Sequence, residues 1–186
     1  MVIRLFLTFT IFISAIILQA QDKFYTKNGV ISFFSKAPLE DIEAKHKSAV
    51  CVLDTKTGIL QFNILIKGFE FENEEMQEHF NDDYLESDKY PKAEFKGQIL
   101  NNSTINYTKP NTYPISVTGQ LTIHGVTKEI QSNGTIKVEG DGLIAAASFI
   151  IQVADYNIKI PSLVKDKVAK TVKITVDTKL DQLKNK

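Results

Sequence analysis

The chain has a single cysteine, so no disulfide can form within it, and its stability has to come from an apolar core. A domain of this length can bury one. Arginine is equally scarce: Arg4 is the only one, and the formal net charge is zero. Nucleic-acid binding draws on a concentrated basic footprint and on bidentate guanidinium contacts, and neither is available here. The same balance argues against an anionic membrane surface. There is no internal repeat, no low-complexity linker and no G-x-S-x-G elbow. Cys51 sits in the apolar run Ala49-Val50-Cys51-Val52-Leu53 with no flanking cation to favour a thiolate, so it reads as a small strand residue.

Metal ligands are sparse as well. Glu75 and His79 stand at i and i+4 beside Glu78, but His46 and His124 lie far off in sequence. A zinc site needs three or four convergent ligands, so no metal and no other cofactor is expected.

Residues 1–20 read as a secretory signal. Arg4 gives a small positive start, Leu5 to Leu18 an apolar stretch, and Gln19-Ala20 a small residue at the expected cut. An uncleaved anchor is the rival reading, and no cysteine follows the segment to carry a lipid. The mature chain, residues 21–186, is one domain with 21 lysines against 22 acids, a formal charge of −1. The expected location is periplasmic or secreted, with no stable membrane insertion after cleavage.

What the chain has in quantity is alternation. From Ile115 to Ile123 the odd positions are apolar or small and the even ones polar, the signature of a strand with one buried and one wet face. It breaks at His124-Gly125, where glycine offers freedom for a tight turn. Further strands are expected over Val30–Phe34, Ala49–Asp54, Ile59–Lys67, Ala93–Ile99, Lys128–Val138, Leu143–Val153 and Val168–Asp177, with Ala37 to Lys47 ambiguous. Thr55-Lys56-Thr57-Gly58 and Gly140-Asp141-Gly142 read as turns, and Asn133-Gly134 as a turn or a bulge. Asn73 offers an N-cap for a helix over Asn73–Asp82, with Met76, Phe80 and Tyr84 on one stripe. The fold class is all-β: eight antiparallel strands, closed into a barrel that removes exposed edges, and one short helix.

Three segments resemble the YceI-like family of polyisoprenoid-binding, lipocalin-like proteins. Ser87-Asp88-Lys89-Tyr90-Pro91-Lys92-Ala93-Glu94-Phe95 is similar to its S-D-x-Y-P-x-x-x-F segment. Val117 to Lys128, VTGQLTIHGVTK, resembles its most recognisable motif, and Lys173-Ile174-Thr175-Val176-Asp177 its closing strand. The chain departs from the family at Ala154 to Pro161 and in having no arginine after Arg4. The resemblance implies an exported lipocalin-like barrel whose apolar cavity holds an isoprenoid or other long-chain lipid, such as a quinone or polyprenyl phosphate.

Phe33, Phe62, Ile64, Phe95, Ile123 and Phe149 are expected on the barrel's inner face. Alternation alone leaves open whether that interior is packed or hollow, and the resemblance favours hollow. Gly97, Gly119, Ala145 and Ala147, small residues on the same face, are compatible with a cavity. His124 and Tyr90 are candidates for the cavity mouth, although the strand register favours His124 as a structural residue of its turn. Met76 and Phe80 are candidates for a lid. The expected function is non-enzymatic lipid binding. The alternatives are a ligand-free, partner-binding barrel of the envelope stress response, or a hydrolase or isomerase using His124 with a carboxylate such as Glu129. Oligomeric state is not legible from the residues.

Overall fold

A computed structural model describes residues 22–36, 41–160 and 170–183. The expected signal segment and the start of the last expected strand, Val168 and Ala169, lie outside the described residues. The strands are β1 Lys23–Ser35, β2 Ile42–Asp54, β3 Ile59–Leu65, β4 Phe69–Phe71, β5 Lys92–Ile99, β6 Asn111–Ile123, β7 Val126–Glu139, β8 Gly142–Gln152 and β9 Thr171–Gln182. All pair antiparallel in the order β1-β9-β8-β7-β6-β5-β3-β2, and β2 pairs back on β1 to close the ring. The ninth strand adds no stave. β4 pairs with Ala44–His46 of β2, beyond the part of β2 that β3 covers, and a 3-10 turn at Ile66–Gly68 separates the two. β3 and β4 are therefore one interrupted stave, and the barrel has the eight expected.

The staves are long. At about 3.3 Å per residue, the 13 residues of β6 span roughly 40 Å. At one end, called here the hairpin end, lie the Thr55–Gly58 and Gly140-Asp141 turns. Asp54 Oδ1 accepts from Lys56 and Thr57 N–H there, and Gly58 takes φ 75°. At the opposite end lie the His124-Gly125 turn and the helix α1, Glu74–His79. Asn73 caps α1, its side chain accepting from Glu75 and Met76 N–H as expected. The helical path runs on as a π-turn through Phe80–Tyr84, two residues past the expected end.

Three expectations change. β1 begins at Lys23, well before Val30, because register shifts around Gly29 break its alternation and disguise its first half. β2 begins at Ile42, so the ambiguous segment is strand from there to Lys47, with residues 37–40 outside the described residues: Ala44 and His46 face inward between charged outward residues. Asn133-Gly134 is neither turn nor bulge, since β7 pairs with β6 in unbroken register from Val126 to Val138.

Two different interiors share the barrel. Toward the hairpin end Cys51, Leu53, Ile99, Ile136, Leu143 and Leu180 are each no more than 1% exposed and pack as a solid core, with Ile105 of the β5–β6 connection joining it. Toward the helix end the inner side chains surround open space.

Candidate ligand cavity

That space is a chamber of about 200 Å³. Phe33 comes from β1, Leu60, Phe62 and Ile64 from β3, Phe95 from β5, Leu121 and Ile123 from β6, and Ile130 from β7. Ala145, Ala147, Phe149 and Ile151 follow from β8, with Val172, Ile174 and Val176 from β9. All six residues expected on the inner wall, Phe33, Phe62, Ile64, Phe95, Ile123 and Phe149, stand on it. Only Glu94 and Ser132 among the lining residues are polar. Glu94 lies on the opposite phase of β5 from Ala93 and Phe95, and its carboxylate accepts from Asn63 Nδ2 at 2.9 Å with Lys96 Nζ at 3.5 Å. Ser132 Oγ donates to the Asn133 carbonyl oxygen at 3.1 Å. No unpaired charge thus faces the chamber from its described walls. An enclosed apolar void of about 150 Å³ stays dry and takes up benzene or xenon, and the lining here has the same apolar character.

The four small inner residues divide. Ala145 and Ala147 line the chamber. Gly97 and Gly119 do not: they pair across β5 and β6, and the Phe95 ring lies against both. A Cβ on Gly119 would come within 2.4 Å of Gly97 Cα and 2.8 Å of Phe95 Cζ. Their size makes room for an aromatic ring rather than for a ligand.

At the helix end Phe80 stacks on Phe33 with ring centroids 5.4 Å apart and meets Phe69 at 5.6 Å and Phe71 at 5.0 Å. Phe80, a lid candidate, is thus part of the chamber wall at this end. Met76 is half-buried one turn earlier and is not part of the wall.

His124 and Tyr90, expected at the mouth, do not line the chamber either. They pack on each other edge-to-face at 4.4 Å, with the Tyr90 ring against Gly125. His124 is 8% exposed, and both its nitrogens are occupied: Nδ1 lies 3.1 Å from the Tyr156 carbonyl oxygen, Nε2 2.8 Å from Glu86 Oε2. A carbonyl only accepts, so Nδ1 donates to Tyr156, and Nε2 faces the Glu86 carboxylate. The hydrogen bond from His124, reinforced by Lys89, holds the Glu86 carboxyl below its usual range although partial desolvation opposes it. Glu129, the expected carboxylate partner, instead sits exposed opposite Gln120. Sequence reasoning missed Glu86 because nothing local signals it; it stands next to the Ser87–Pro91 turn, which it anchors by accepting the Lys89 and Tyr90 N–H groups.

Cys51 is fully buried and its thiol pKa is raised by burial, consistent with a packing role. On α1, His79 Nδ1 lies 2.7 Å from Asp83 and Nε2 3.8 Å from Glu75; the Asp83 hydrogen bond is the main cause of the raised pKa of its ring. Among the described residues no group of three His, Cys, Asp or Glu side chains is arranged to hold a metal ion.

The model of the YceI-like domain matches residues 9–180. The chain belongs to the YceI-like domain family. Among solved structures, it is similar to a polyisoprenoid binding domain from Saccharophagus degradans implicated in plant cell wall breakdown, at 14% identity and TM-score 0.75, covering 87% of this chain and 99% of that one. It is also similar to BcnA of Burkholderia cenocepacia, at 21% identity and TM-score 0.67, with coverage of 81% and 95%. A YCEI protein of Campylobacter jejuni shows 19% identity and TM-score 0.57, with coverage of 74% and 81%. These likenesses are of fold. No curated protein matches the chain. The three family-like segments have distinct places in this YceI-like barrel: Ser87–Phe95 forms the turn that carries Tyr90 and leads into β5, Val117–Lys128 is the β6–turn–β7 hairpin, and Lys173–Asp177 lies in β9.

Proposed function

We propose that this YceI-like protein is an exported, non-enzymatic carrier or sequestering protein that holds the apolar tail of an isoprenoid or similar long-chain lipid. The observation that carries the reading is the chamber: lined almost wholly by aliphatic and aromatic side chains, and free of unpaired charge on its described walls. Tail burial is favourable by about 0.8 kcal/mol per CH₂-sized group, which for a chain of several isoprene units outweighs the cost of ordering it. A polyisoprenoid ligand is consistent with the family and with what the Saccharophagus degradans domain is said to bind. A binding role also fits His124, whose ring nitrogens are both engaged within the protein and not poised toward a substrate. Export rests on the reading of residues 1–20 as a signal.

Filling the chamber tests this without burying a charge. Ala147→Phe places a ring in the space, and affinity for geranylgeraniol should fall about tenfold or more, roughly 1.4 kcal/mol. Thermal unfolding should remain cooperative. Unchanged affinity in the folded variant would place the ligand elsewhere.

A further inference from the structure

Neighbouring staves of a barrel pair along their shared length because an unpaired edge leaves backbone donors and acceptors without strand partners. β7 and β8 do so over only half of theirs. Their ladder runs from Glu139 opposite Gly142 to Gly134 opposite Ala147 and stops. Beyond it residues 126–133 pair only with β6, and 148–152 only with β9. The two strands part in a V that opens toward the helix end, where the chamber lies. Chamber residues stand on both lips of the V: Ile130 and Ser132 on one, Phe149 and Ile151 on the other.

Packing closes this seam where a ladder would otherwise. After β8 the chain turns through a 3-10 segment, Val153–Tyr156, that lies against β7. Tyr156 is 2% exposed, and Ile158 reaches the chamber wall. This segment is tied to the hairpin that begins β7 by the bond between Tyr156 O and His124 Nδ1, while Glu86 grips the ring from the other side. His124 and Glu86 hold φ values of 51° and 42°, a left-handed backbone that side-chain-bearing residues disfavour, so the arrangement depends on these contacts.

The geometry points to the β7–β8 seam as the port through which an apolar chain enters and leaves the chamber, with Tyr156–His124–Glu86 as its latch. The inference rests on the binding function proposed above and adds the route. A sideways port admits a long tail along its length and leaves a polar head at the barrel wall. Opening it breaks the latch and the packing of the 153–158 segment, with no strand ladder to unzip. The helix end is a harder way in, because Phe80 is wedged among Phe33, Phe69 and Phe71. The lip residues that line the chamber, Ile130, Ser132, Phe149 and Ile151, carry no charge, which suits the passage of a neutral hydrocarbon chain. The two charged residues of the parted stretch, Lys128 and Glu129, are exposed.

A reducible staple across the seam tests the port. If the β7–β8 register continued, Gln131 would stand opposite Ile150, and both are exposed. Gln131→Cys with Ile150→Cys, joined by a cleavable bismaleimide, locks the lips together on the native latch. Buried Cys51, its thiol pKa raised, does not compete for the reagent. Geranylgeraniol exchange would be followed by displacement of N-phenyl-1-naphthylamine from the mature protein. Stapling should slow exchange at least tenfold, and cleaving the staple should restore it. His124→Ala should speed exchange about fivefold while changing the equilibrium affinity less than twofold. Exchange at the same rate with the staple closed and cleaved overturns the port alone. Failure of both probes to bind any form overturns the carrier reading and the port with it.

Discussion

Burying His46 to 1% exposure strips its ring of the hydration that a charged form needs. Nδ1 accepts from Ser48 N–H at 3.2 Å, so the neutral ring carries its proton on Nε2, which packs against Gly68 and has no hydrogen-bond partner of good geometry. Burial lowers the pKa, with the Leu65 backbone and the Glu70 carboxylate pulling partly the other way. The unfolded chain takes up this proton near pH 6.5, whereas the folded one resists until a lower pH. The stability His46 contributes is therefore present above about pH 6.5 and lost as pH falls through the folded value. Urea midpoints should decline from that pH downward, and His46→Phe should flatten this part of the profile; an unchanged slope would contradict the assignment. His46 inside β2 was ambiguous in the sequence, whereas Phe33, Phe62 and Phe149 were legible because alternation marks the inner face directly. The partner of His124 was not legible: Glu86 lies 38 positions away, and the strand register put His124 on the polar face without revealing the left-handed turn that buries it.

Strands advertise themselves by period two, and most of the eight staves were read within a few residues. The misses have two causes. β1 shifts register at Gly29, which flips its alternation, and the front of β2 carries Glu43, Lys45 and Lys47 outward around only two apolar-side residues. The helix was legible from Asn73 and the stripe at Met76, Phe80 and Tyr84, but its π-turn was not, because a one-residue widening leaves no compositional mark. Asn73→Ala removes the acceptor for two N–H groups and should cost about 1 kcal/mol of local stability. Amide exchange over residues 74–84 should quicken accordingly while the β6–β7 ladder stays protected. Equal acceleration in both would mean that the helix and barrel open only together.

The barrel is solid toward the hairpin end and hollow toward the helix end, and no pattern of hydrophobicity distinguishes the two. Ile136 in the packed half and Ile130 at the chamber obey the same alternation; what differs is how the staves diverge and which side chains meet across the barrel. The parting of β7 and β8 is equally silent, since both strands keep their period where they no longer pair. Closure of the ring, by contrast, followed from the strand count and from the need to leave no long edge unpaired. The family-like segments had the same limited reach: they implied a barrel with a cavity but not where the cavity stops.

The most direct measurement is native mass spectrometry of the mature protein, residues 21–186, purified from its own secretory route without detergent. A carrier gives a discrete added mass that organic extraction removes and fragmentation resolves into a long-chain lipid. A bare protein mass, together with failure to bind added quinones and polyprenyl phosphates, would contradict the central claim and leave a barrel whose chamber has no lipid to hold.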